Sequence, residues 1–343
     1  MILRLLALSF LVLLLAACSI EDPEKEARTA RAQAVERIDF WRSTLARPLN
    51  QRIKIAPQGL LDYVALANQT NHISNVPRPS SPTVDFIADV RAALDELPAD
   101  IKALLENELV GIYFIDNVGG SALTHEILDA QGRPVAGVII LDPFVLSSQT
   151  ANSWATWKEN TPFKPDPRFR LSMQIADPAS DDRKNAIAYN LLHEIAHVLS
   201  IRRRMHPPFN KSPKEIGPAS AWPFTALSWQ VTGERYAGRF DEAFSNRTNV
   251  VYYGTPLLPA GKMAEVYQQL GASNFSTLYA ATNPFDDFAE SFVNYVHVTR
   301  MRKPWLVRIY EDEKLILTHG ACWEEARCAE KRTLIESLLA RPS

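Results

Sequence analysis

Apolar side chains recur at helical spacing along several stretches of the chain. Val35, Ile38, Trp41 and Leu45 predict a helix over about 32–46, and a shorter one follows near 60–67. Residues 75–82, rich in Pro and Ser, predict a loop. Val84, Ile87, Val90, Leu94 and Leu97 mark an amphipathic helix, and Pro98 restarts one that ends before Asn107. The period then changes. Residues 109–115 (LVGIYFI), 123–128 and 135–141 (VAGVIIL) predict strands, with a turn over 129–134. From Asp181 to Arg204 there is neither Pro nor Gly. Ser180, Asp181 and Asp182 offer a helix start there, and Ile187, Leu191, Ile195 and Val198 give it a core-facing stripe. Residues 206–229 contain five prolines and predict an irregular segment, of the kind that often borders a cleft. Residues 233–246 and 286–300 predict two further helices.

The beginning of the chain is a different kind of segment. Arg4 is the only charge before an apolar run over 5–15, too short to span a bilayer and followed at once by charged residues. It ends in Leu15-Ala16-Ala17-Cys18, which resembles the lipobox of bacterial lipoproteins. That resemblance implies cleavage before Cys18, lipidation of Cys18 and anchoring in the cell envelope. With Ser19 rather than Asp next, it implies the outer membrane, facing the periplasm. An ordinary secretory signal with a chance Cys is the alternative. Residues 1–18 are then a signal peptide and 19–31 a charged tether. Residues 32–80 form an N-terminal helical segment, 81–320 the main domain and 321–343 a C-terminal helix with the two remaining cysteines. Cys322 and Cys328, in an oxidising compartment, would close a small disulfide loop; a free reduced pair is the alternative. Lys and Arg number 37 against 39 Asp and Glu, so no global field favours nucleic acid as a partner.

The candidate chemistry lies in the uninterrupted helix, as His193-Glu194-Ile195-Ala196-His197. Residues four apart on a helix share a face, so both imidazoles can present nitrogens to one zinc ion. Glu194, beside the first of them, can take a proton from a water that the metal polarises. With seven His in 343 residues, a chance HExxH is expected in about one per cent of such chains. Arg202-Arg203-Arg204 could steer an acidic substrate, or more simply complement the negative end of the helix dipole.

Two histidines leave zinc short of a protein ligand. Glu215 and Glu242 are weaker candidates than the segment from Tyr279 to Phe292, where Pro284 opens a helix and Asp286 and Glu290 stand one turn apart. One carboxylate can bind the ion while the other accepts a hydrogen bond from a ligand histidine. HExxH with a downstream acidic helix resembles the gluzincin group of zinc metallopeptidases. The stretch from Tyr279 to His297 is similar to the catalytic domain of anthrax lethal factor. It is closer still to a group of bacterial zinc-binding metallopeptidase lipoproteins with the pattern YAxxxPxEDxAExxxxYxH. The resemblance covers about residues 109–299.

That resemblance implies an α+β, zincin-like fold: a small mixed sheet packed on the active-site helix, with a mainly helical C-terminal subdomain. The last strand, 135–141, would line the cleft and pair with an extended peptide, or else lie buried in the core. His193 and His197 would bind one Zn2+, Glu194 would act as general base and Tyr279 would stabilise the oxyanion. By position the third ligand falls on Asp286 and its supporting acid on Glu290. Asp286 stands where the family carries Glu, one methylene longer, so Glu290 as ligand backed by Asn294 stays open. His297 is either a second stabiliser or a surface histidine. The expected activity is peptide-bond hydrolysis on a peptide or protein substrate. A non-catalytic zinc-binding lipoprotein and an amide hydrolase of cell-wall peptides are the alternatives.

Overall fold

A computed structural model describes residues 23–209 and 211–340. The signal-like segment with Cys18 lies outside them. Among the described residues no helix is long and apolar enough to cross a membrane. The chain opens with α1 (Pro23–Val35), α2 (Ile38–Leu45), β1 (Ile53–Ile55), α3 (Gln58–Thr70), β2 (Arg78–Pro79), α4 (Val84–Asp95) and α5 (Ala99–Leu105). Strands β3 (Leu109–Asp116), β4 (Ala122–Leu128) and β5 (Pro134–Leu141) follow. β1, β3 and β5 run parallel, β4 lies antiparallel beside β5, and β2 pairs with the end of β3. The fold is α+β around this mixed sheet.

Alternation of side chains along the strands divides the core between the two faces of the sheet. Val138 and Ile140 of β5 join Val35, Trp41, Leu60 and Val64 of the N-terminal helices. Ile139 and Leu141 point the other way, into the larger cluster with Ile187, Leu191, Ile195 and Val198 of α8 (Arg183–Arg203). Between β5 and α8 come α6 (Pro143–Leu146), α7 (Ala151–Asn160), β6 (Phe163–Lys164) and β7 (Phe169–Gln174). Asp182 caps α8 by accepting the Asn185 N–H at 2.8 Å. The helix stops where Arg204 turns left-handed at φ 54°. At Gly137 the sheet comes so close to α8 that an added Cβ would stand 2.8 Å from a Val198 methyl.

Several sequence-based expectations need correction. The predicted helix over 32–46 is two helices, because the backbone breaks at Glu36 to give its carbonyl to the Leu128 N–H of β4 (2.8 Å). The expected tether over 19–31 is helical from Pro23 and packs on α3. Gly59 there lets the Arg31 carbonyl approach to where a Cβ would clash, and Arg31 donates to Asp62 at 2.6 Å. Nor does the fold divide at 80/81, since β1 and β2 are strands of the central sheet. Of the two readings left open for 135–141, β5 takes the buried one and is interior; β4 is the edge strand, free on its outer side among the described residues except for one bridge to Arg37.

The C-terminal part contains α9 (Pro223–Ser228), β8 (Trp229–Thr232), β9 (Arg235–Gly238), β10 (Leu258–Pro259), α10 (Met263–Gly271) and α11 (Pro284–Tyr295). It ends with β11 (Leu306–Glu311), β12 (Lys314–Gly320) and α12 (Ala329–Leu339). The helix expected over 233–246 is absent. Gly233, at φ 63°, makes the tight turn of the β8–β9 hairpin instead. The C-terminal part adds strands to its helices, because β11 and β12 form an antiparallel sheet with β7. Residues 321–343 are not a separate unit either. The buried Lys331 of α12 pairs with Asp287 of α11, and Ile335 and Leu338 are in the main core. Cys322 and Cys328 are joined as a disulfide.

Candidate metal centre

Helix α8 packs against α11, and the crossing brings two pieces of sequence nearly a hundred residues apart into one cluster. His193 and His197, one turn apart, hold their Nε2 atoms 3.3 Å from each other. Asp286 comes from the first turn of α11. Asn283 caps that helix, its Oδ1 accepting the N–H groups of Phe285 and Asp286 at 3.0 and 2.9 Å. Its Nδ2 donates to Asp286 Oδ2 at 2.6 Å. The other carboxylate oxygen, Oδ1, then stands 3.5 Å from His193 Nε2 and 3.8 Å from His197 Nε2.

Three donor atoms therefore form a triangle with edges of 3.3, 3.5 and 3.8 Å. Two ligand atoms held about 2.0–2.1 Å from a zinc ion at the tetrahedral angle are separated by about 3.3–3.4 Å. The set fits a small divalent ion, and among the described residues His193, His197 and Asp286 are the one group of this kind. Burial works against a charge on His193, yet its bonds to Asp286 and Glu290 outweigh it and lift the imidazole to about 10. Burial and the neighbouring His193 and His206 hold His197 well below its usual value.

Glu290 is not in the triangle. Its Oε1 accepts from His193 Nδ1 at 3.0 Å and from Lys158 Nζ of α7 at 2.8 Å, and its Oε2 accepts from Thr277 Oγ1 at 2.7 Å. Burial pushes this carboxyl up, but Lys158 and His193 prevail and hold it at about 2. Asn294, considered as its support, instead accepts from Trp323 Nε1 at 2.7 Å.

Glu194 lies beside the triangle with its carboxylate buried. Thr124 of the edge strand β4 donates to its Oε2 at 2.7 Å. Burial raises Glu194 to about 7, with His193 and Thr124 opposing. The Tyr279 ring stacks on His193, centroids 5.8 Å apart and planes 19° apart, with Lys158 Nζ 4.6 Å from the tyrosine ring centre. A cavity of about 50 Å³ is lined by His193, Glu194, Tyr279, Lys158, Glu290 and a second tyrosine, Tyr253. Tyr253 holds a left-handed backbone at φ 60°, a conformation costly for a bulky side chain.

The remaining candidates lie elsewhere. His297 is neither a stabiliser at the site nor a surface residue. It is buried on the π-turn that continues α11, with Nε2 2.9 Å from the carbonyl of Ile175, just past β7. Glu215 and Glu242 are exposed. Arg203 pairs with Glu108 at 2.5 Å and Arg204 covers Trp222, so two of the three arginines hold structure. Sequence reasoning missed Thr124, Lys158, Thr277, Tyr253 and His206. His206 alone left a trace, a third histidine nine residues after His197, just past the helix end. Comparison with protein-family models, curated proteins and solved structures finds no match to this chain.

Proposed function

We propose that the chain is a zinc-dependent metallopeptidase of the gluzincin type, carried on the bacterial envelope by a lipid on Cys18. The observation that supports it most is the triangle of His193 Nε2, His197 Nε2 and Asp286 Oδ1, with the buried carboxylate of Glu194 beside it, held by Thr124. His193, His197 and Asp286 would hold one Zn2+, and Glu290 orients His193 from behind. Bound there, the ion supplies Lewis-acid polarisation of a carbonyl and of water.

Glu194 takes the proton of the attacking water and returns it to the leaving nitrogen. Thr124 keeps the glutamate on the cleft side of α8. Tyr279, fixed by its stacking on His193, offers its hydroxyl to the developing oxyanion. The groove beside the site measures about 310 Å³ and is lined by Leu123 and Thr124 of β4, Tyr63 and Ala67 of α3, and Tyr253 and Tyr279. An extended peptide or protein segment pairing with the free edge of β4 fits that groove, and α3 is its opposite wall. This gives the N-terminal helices a part in the site.

The test is digestion of a peptide library by the chain from residue 19 with one equivalent of zinc. Cleavage is expected. Glu194→Gln should retain zinc and lose about 10²- to 10⁴-fold in turnover. Equal cleavage by wild type and Glu194→Gln would refute the assigned mechanism.

A further inference from the structure

We infer that His206 is a positioning residue that fixes the tautomer of His197 through a relay ending on the Pro207 carbonyl. It rests on the reading that His193, His197 and Asp286 hold a metal. His206 Nδ1 lies 2.7 Å from the Pro207 carbonyl oxygen, and its Nε2 lies 3.4 Å from His197 Nδ1. A carbonyl can only accept, so the proton of neutral His206 is on Nδ1 and its Nε2 carries a lone pair. That lone pair accepts the Nδ1–H of His197. His197 Nε2 is then left bare and directed at His193 Nε2 and Asp286 Oδ1.

The fold places His206 firmly. The left-handed Arg204 turns the chain back over the end of α8, and the His206 N–H donates to Ser200 Oγ at 3.1 Å. Phe209, Phe285 and Phe288 wall the ring, with centroids at 4.9, 5.3 and 6.1 Å. The imidazole is 3% exposed, so water does not compete for its nitrogens. The two metal-facing histidines are therefore oriented by different chemistry. His193 donates to the carboxylate of Glu290, and His197 donates to a second imidazole. A ligand histidine usually passes its second N–H to a carboxylate, carbonyl or water, and losing that partner typically costs 10- to 100-fold in metal affinity.

The test compares zinc affinity, by chelator competition, of wild type, His206→Phe and His206→Gln. The phenylalanine keeps the ring volume and removes the acceptor; the glutamine amide oxygen can still accept. His206→Phe should bind zinc about 10- to 100-fold more weakly, and His206→Gln should recover most of the loss. Undiminished affinity in His206→Phe, or equal loss in both variants, overturns the relay. Ring-nitrogen NMR of the unsubstituted chain decides independently of any folding defect. Protons on Nδ1 of both His197 and His206 are expected, and His206 protonated on Nε2 overturns the proposal. Wild type that binds no zinc would refute the metal reading, while the NMR result would still judge the hydrogen-bond relay.

Discussion

At the scale of single residues, the two acidic side chains of α11 separate by what they touch. Asp286 has one oxygen held by Asn283 and the other toward both imidazoles. Glu290 has both oxygens engaged by Lys158, Thr277 and His193. Asp286→Asn should therefore lose more zinc affinity than Glu290→Gln, whose loss should fall near 10- to 100-fold. Glu290→Gln should also lower thermal stability, since it leaves the buried Lys158 without its full countercharge. Isothermal titration and thermal melts of both variants check this, and the reverse order of affinities would move the ligand to Glu290. The pair of carboxylates one turn apart was legible in the sequence, but their division of labour was not. It depends on Asn283 and on Lys158, which arrives from a helix about 130 residues away.

At the scale of elements, the long uninterrupted run over 181–204 was readable because period, cap and absence of breakers agree. Its observed bounds, Arg183–Arg203, differ by a residue or two. The hairpin at 229–238 was not readable as such, since one Gly at positive φ makes a turn where the sequence predicts the start of a helix. Which strand forms the edge, β4 and not β5, was equally hidden, because strand order in a sheet is set by tertiary pairing and not by order along the chain. The tight approach of β5 to α8 has a consequence of its own. Gly137→Ala would place a methyl 2.8 Å from Val198 Cγ2 and 3.3 Å from Ile201 Cδ1. Such overpacking typically costs about 1–3 kcal/mol. Chemical denaturation should show a loss in that range, and an unchanged midpoint would mean that the helix can shift off the sheet freely.

At the scale of the whole molecule, the N-terminal helices and the sheet form one folded unit. Val35, Trp41, Leu60 and Val64 cover a sheet face that would otherwise be bare, and β1 pairs with β3 through Ile53, Lys54 and Ile55. A chain begun at residue 81 should therefore fail to fold cooperatively, whereas one begun at residue 19 should melt in a single transition. Circular dichroism and calorimetry distinguish the two, and a stable, cooperative 81–343 fragment would restore the domain boundary expected from the Pro- and Ser-rich loop. That loop misled because it contains β2, a two-residue strand paired with the end of β3 and too short to leave a periodic signal.

The central claim is that His193, His197 and Asp286 together hold one zinc ion. It is tested most directly by measuring the metal content and affinity of the chain from residue 19 after purification without chelators, beside His193→Ala, His197→Ala and Asp286→Ala. One zinc per chain in wild type, bound through two imidazoles and one carboxylate by X-ray absorption, and its loss in all three variants, is the predicted result. A wild-type chain that takes up no zinc, or one whose zinc survives all three substitutions, would contradict the account.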